Sequence, residues 1–76
     1  MRNWLKAMRE KKGLTKKQVA TKLSISQPYY YDVEIGSRQT DMAYSMMERL
    51  AAAFDVPVQE IIDAEREYMA EKTNTA

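Results

Sequence analysis

Apolar residues recur three and four positions apart along most of the chain, and short polar stretches interrupt them. That period belongs to amphipathic helices, and the interruptions mark where each helix stops. Leu5 and Met8 lie one turn apart on a first helix that Asn3 can cap, with Trp4 at the core edge. Arg9, Lys11 and Lys12 crowd its last turn, where cations suit the negative end of the helix dipole, and Gly13 supplies a left-handed stop. Thr15-Lys16-Lys17-Gln18 reads as a capping box: the threonine oxygen accepts from the Gln18 backbone N–H, and the glutamine reaches back. Val19, Ala20 and Leu23 are the apolar positions of this short second helix. Ile25, between Ser24 and Ser26, is expected to plug the core.

Ser26 is the next cap, and Pro28 falls in the first turn of a third helix, where the missing N–H costs nothing. Tyr30 and Val33 share its inner face. Tyr29 and Tyr31 are each turned about 100° from Tyr30, so the three consecutive tyrosines cannot all be buried. Gly36 ends the helix. After the polar Ser37–Asp41, either Thr40 or Asp41 is expected to cap a fourth helix. Its apolar face is Met47, Leu50, Ala51 and Phe54, with Met46 and Tyr44 less clearly inward. Pro57 opens a fifth helix with Val58, Ile61 and Ile62 inward, and the same face runs on through Glu65 to Tyr68 and Met69. The expectation is an all-α orthogonal bundle of five helices, one domain over 1–72 with a flexible tail at 73–76.

Composition narrows the chemistry. The 76 residues contain no cysteine and no histidine, which removes disulfides, thiolate metal clusters, the usual general base and the commonest zinc ligand. No nucleophile stands beside a base, and no glycine loop is built to cradle phosphate, so the chain is not read as an enzyme. No cofactor, metal site or small-molecule ligand is evident. Asp63, Glu65, Glu67 and Glu71 read as a solvated helix face. The apolar runs are too short for a membrane span or signal segment, so the expected location is cytoplasmic. The formal net charge is only +1, but residues 1–40 hold nine Lys/Arg against three Asp/Glu, and residues 41–76 hold three against eight. A basic half beside an acidic half suggests one side that faces a polyanion.

A helix-turn-helix requires a small residue on its first helix, a tight turn, and two apolar residues on the second helix that seal the angle. Ala20, the turn at Ser24-Ile25, and Tyr30 with Val33 supply these in order. Together with LKAMREKKGLT, QVATKLSIS, YYYDVEIG and LAAAFDVPVQEII, they make the chain resemble the Xre-type helix-turn-helix domains, the family of phage lambda-like repressors and Cro proteins. The resemblance covers roughly residues 3 to 63. It implies a five-helix lambda-repressor-like fold with the motif at helices 2 and 3. It also implies that Arg9 and Glu34 form a structural ion pair late in the first and third helices. Four positions depart from the family pattern. Ser24 stands where glycine is common, Tyr30 replaces Ile or Val, and Ile35 stands where asparagine is common. Asp32 is a carboxylate at a DNA-facing position, where it either accepts from cytosine N4 or bonds Tyr29 or Arg38 within the protein; the internal role is favoured.

The function so implied is a sequence-specific regulator of transcription that binds double-stranded DNA, a repressor that occupies an operator as a homodimer through the recognition helix 26–35. A prophage or other mobile element is the setting that the resemblance suggests. Control would come from concentration, a regulatory protein partner or proteolysis. Gln27, Pro28, Tyr29, Tyr31 and Asp32 are the expected base-facing residues. Thr15, Lys16, Lys17, Ser26, Ser37, Arg38 and Gln39 are expected at phosphates. The dimer surface is expected at Ile62, Glu65, Tyr68 and Met69. The competing reading is a protein–protein interaction module on the same fold, which the low net charge, Asp32 and the tyrosines would suit.

Overall fold

The computed structural model describes the backbone of residues 1–74 and the side chains of residues 1–72. Five helices follow one another: α1 (Asn3–Lys11), α2 (Lys16–Leu23), α3 (Gln27–Ile35), α4 (Tyr44–Phe54) and α5 (Val58–Asn74). No strand occurs among the described residues. Residues 75–76 of the expected tail lie outside the described residues, and α5 reaches into its first part.

Local chemistry sets the two central helices. The capping box forms as its sequence requires: Gln18 N donates to Thr15 Oγ1 at 3.1 Å, and Thr15 N donates to Gln18 Oε1 at 2.8 Å. Ser26 Oγ accepts from Tyr29 N at 3.1 Å and caps α3. Three of the four connections begin with the C-cap residue in the left-handed region, namely Ser24 (φ 57°), Gly36 (φ 93°) and Asp55 (φ 56°). Ser24 thus adopts the conformation that glycine would take without the Cβ clash. At Gly36 glycine is favoured twice over, by its positive φ and because a Cβ there would lie 2.7 Å from Tyr68 Oη, which would have to move.

α2 and α3 pack together over Val19, Ala20, Leu23, Tyr30 and Val33, all buried. α4 closes the core with Met46, Leu50, Ala51 and Phe54, and α5 adds Ile61. Trp4, Met8, Leu14, Ile25 and Met47 pack around the edge. Met46 is therefore the buried methionine of α4 and Met47 the half-buried one, while Tyr44 is exposed.

Two of the expected helix caps, at α1 and α4, are displaced. Asn3 is the first residue of α1 rather than its cap; Arg2 holds the cap position, with no side-chain capping bond. The reason lies in Arg2 itself, whose N–H donates to Glu34 O at 2.8 Å and whose side chain turns inward. α4 begins at Tyr44, after Ala43, and neither Thr40 nor Asp41 caps it. Met42 is buried ahead of the helix, so the chain must first turn inward. Gln39, at φ 54°, organises that turn, and its Oε1 accepts from Ala43 N at 3.1 Å.

Candidate nucleic-acid interface

The second helix of the motif, α3, is held from behind by two arginines. Arg9 on α1 donates from Nε and Nη2 to the two Glu34 oxygens at 3.0 and 3.3 Å, and from Nη1 to Leu14 O at 3.1 Å. This is the expected pair. Its hydrogen bond to Glu34 raises the Arg9 pKa further above its already high value. Burial first, and then the adjacent Glu34 carboxylate, push the Tyr30 phenol well above its ordinary 10.0. No acceptor among the described residues lies at hydrogen-bonding geometry to Tyr30 Oη, so the carboxylate acts on it through proximity and charge.

Arg2 is the second holder, and nothing in the linear pattern assigned it a role. It is fully buried and pairs with Glu65 on α5 through Nε and Nη2, both at 2.8 Å. Its Nη1 donates to Val33 O at 2.7 Å and to Arg38 O at 3.1 Å, and its Nη2 also donates to Gln39 O. Trp4 Nε1 donates to Glu65 Oε1 at 3.2 Å. The last turn of α3 carries no basic residue of its own, so Arg2 places a cation at the negative end of that helix and satisfies its carbonyls. Two signals in the sequence pointed this way. One was a helix end without a cation, and the other was a carboxylate on the inward stripe of α5, which a buried cation must match.

Glu65 is consequently a correction. It was expected on a solvated face and at a partner surface; it is 3% exposed, and its carboxylate is engaged inside the domain by Arg2 and Trp4. Tyr68, also expected at that surface, is half-buried, with the Arg2 guanidinium 5.4 Å from its ring centroid. Ile62 and Met69 are half-buried beside a groove of about 260 Å³ that also involves Met42, Met47 and Arg66.

The opposite side of α3 is open. Gln27 and Pro28 are exposed on its first turn, and Tyr31 is 45% exposed. Tyr29 is half-buried, and its Oη accepts from Gln39 Nε2 at 3.1 Å. Asp32 faces Arg38, with Oδ2 to Nε at 3.9 Å, a loose and solvated pair. On one flank, Thr15, Lys16 and Lys17 start α2; on the other, Ser37, Arg38 and Gln39 follow α3. The side chains of Thr15 and Ser26 serve as helix caps, and both polar atoms of the Gln39 amide are bonded within the protein. Lys16, Lys17 and Arg38 remain as the cations of these two segments, and Arg38 keeps 62% of its side chain exposed.

The family model described as Helix-turn-helix, that of the Xre and lambda-repressor-like domains, matches residues 5–61. The chain belongs to that family. It is therefore a DNA-binding helix-turn-helix domain, with α2 and α3 as the motif. No curated protein and no solved structure matches the chain. The family is typically non-enzymatic. No helix among the described residues is long and apolar enough to cross a membrane.

Proposed function

We propose that this helix-turn-helix domain is a sequence-specific regulator that represses transcription by occupying an operator as a homodimer. The observation that carries the reading is the open first turn of α3, with Gln27 and Pro28 exposed, on a helix that meets Lys16 at Tyr31 and Arg38 at Tyr29. A recognition helix entered N-terminus first presents such residues to base edges in the major groove. Gln27 has the donor and acceptor needed to bridge adenine N6 and N7. The flanking cations meet phosphates, which sets affinity and salt dependence but carries no sequence information.

Dimerisation is proposed through α5, at Ile62, Arg66 and Met69 around the groove beside Met42 and Met47. A twofold pair built there would present two recognition helices to half-sites about one helical turn apart. Selection from random duplexes, followed by fluorescence anisotropy across a salt series, tests the reading. Affinity should fall with salt at a slope of roughly −0.9 per phosphate neutralised. Lys16→Ala combined with Arg38→Ala should weaken binding to every duplex; if it leaves all of them untouched, the proposal fails. Gln27→Ala should cost about 1–3 kcal/mol on the selected site alone. Sedimentation of wild type and Ile62→Asp, with and without the selected duplex, tests the dimer.

A further inference from the structure

The run Tyr29-Tyr30-Tyr31 places three phenols on three sides of one helix. Tyr30 is in the core, and each of the other two has a cation over its ring. Lys16 Nζ lies 4.8 Å from the Tyr31 centroid, and Arg38 Cζ lies 5.9 Å from that of Tyr29. The two cations reach α3 from opposite sides, one from the start of α2 and the other from the loop after α3. Tyr29 is itself fastened: Gln39 Nε2 donates to its Oη, and Gln39 Oε1 accepts from Ala43 N. Arg38 has Asp32 as a second neighbour at 3.9 Å.

We infer that Tyr29 and Tyr31 are positioning residues, which hold Arg38 and Lys16 on the two flanks of the recognition helix for the DNA phosphates, and that neither reads a base. The inference rests on the DNA-binding reading above. A ring face attracts a cation without removing its charge or its hydrogen-bond donors, so the cation stays able to grip a phosphate oxygen. Lysine and arginine lose much rotamer freedom when they are fixed, and a side chain already settled on a ring loses less on binding. The gain falls equally on all sequences, because phosphate contacts carry no base information. The two platforms differ in what they need. Tyr31 offers only its ring, whereas Tyr29 also uses its hydroxyl to keep Gln39 and the following turn in place.

The test compares Tyr31→Phe, which keeps the ring, with Tyr31→Leu, which removes it. Two duplexes serve as probes, one recovered by selection from random sequence and one unrelated. Tyr31→Phe should bind both as wild type does. Tyr31→Leu should weaken both by the same factor, roughly twofold to fivefold. In a Lys16→Ala background, Tyr31→Leu should have no further effect. Loss of binding to the selected duplex alone in Tyr31→Phe would show that the hydroxyl reads a base and would overturn the inference, as would additivity of Lys16→Ala and Tyr31→Leu. The free protein gives an independent readout by NMR. The Lys16 ε-methylene protons should be shifted upfield by the ring in wild type and Tyr31→Phe, and should return to ordinary values in Tyr31→Leu. An upfield shift that persists in Tyr31→Leu, or is missing in wild type, removes the positioning role. Wild-type protein that binds neither duplex in a salt-dependent way defeats the DNA reading instead.

Discussion

Arg9–Glu34 and Arg2–Glu65 are both two-pronged, buried ion pairs, and both hold the C-terminal end of α3. They differ in what else the arginine does. Arg9 has one further acceptor, Leu14 O, in the partly exposed turn after α1. Arg2 has three, namely Val33 O, Arg38 O and Gln39 O, and its charge partner comes from the far end of the chain. The first pair fixes the angle between two neighbouring helices. The second joins the N-terminal residues, the end of α3, the following loop and α5 at one guanidinium. A buried salt bridge gains little over a hydrophobic pair of the same shape, but a hub that also satisfies backbone carbonyls cannot be replaced by apolar atoms.

The largest expected effect tests that difference. Arg2→Ala should destabilise the domain by at least the roughly 3–5 kcal/mol that stranding a buried charge costs, and by more than Arg9→Ala does. Urea titrations followed by circular dichroism measure both. The double replacements divide the pairs more sharply. Arg9→Met with Glu34→Leu should recover most of the single-mutant loss, whereas Arg2→Met with Glu65→Leu should not, because Arg38 O and Gln39 O lose the guanidinium and Val33 O keeps only the Gly36 N–H. Equal recovery in the two cases would erase the distinction.

Next in size is the contrast of the two glycines. Gly13 (φ 70°) has open space where a Cβ would go, so Gly13→Ala should cost only the left-handed backbone penalty, about 1–2 kcal/mol. Gly36→Ala carries the same penalty and also meets Tyr68 Oη, which must move while its ring stacks on Arg2. Thermal melts should show the larger loss at Gly36, and adding Tyr68→Phe should remove part of the excess.

Alkaline titration reports on the Arg9–Glu34 side. The phenol beside Glu34 is buried and has a raised pKa. Above pH 10 an unfolded chain releases the Tyr30 proton while the folded chain retains it, so the unfolded state binds fewer protons and stability falls as pH rises. The slope is about 1.4 kcal/mol per pH unit from this group. Below pH 10 the group contributes no pH dependence. Tyr30→Phe should flatten that limb of a stability–pH curve relative to wild type.

The exposed pair Arg38–Asp32 marks the lower end of the scale. Asp32→Asn should alter stability by less than about 1 kcal/mol. It should nevertheless tighten binding to all duplexes a few-fold at low salt, because a carboxylate next to the phosphates is gone. Anisotropy at two salt concentrations reads this directly. Tightening on one sequence alone would place Asp32 at a base edge.

What could be seen in the sequence follows the range over which each interaction acts. The capping box at Thr15, the Ser26 cap and the Gly36 stop are local, and each depends on residues within four positions, so α2 and α3 were legible almost to the residue. Arg9–Glu34 was legible only through the family resemblance. The start of α4 was misplaced because Gln39, not a serine- or threonine-type cap, organises the turn, and because buried Met42 delays the helix. Arg2 and Glu65 could not be paired by periodicity, which links no positions 63 residues apart; only the cation-free end of α3 and the inward carboxylate of α5 hinted at a buried cation. At the candidate interface, the first-turn residues Gln27 and Pro28 are exposed, whereas the side chains of Ser26 and Gln39 are building material for turns. Helix spacing alone could not assign Tyr29 and Tyr31 their cations, since Lys16 and Arg38 arrive from other segments.

The separation of Arg2 and Glu65 also bears on the order of assembly. Closing a loop of that length carries an entropic cost that neighbouring contacts do not meet, so the pair becomes favourable only after the helices between them have docked. Local signals can form the recognition helix early, but its final carbonyls find their partner late. A chain cut before α5, or one still emerging during synthesis, would keep Arg9–Glu34 but leave Arg2 without its charge partner. The orientation of α3 thus depends on α5 as well as on its sequence neighbours, through an arginine that precedes α1.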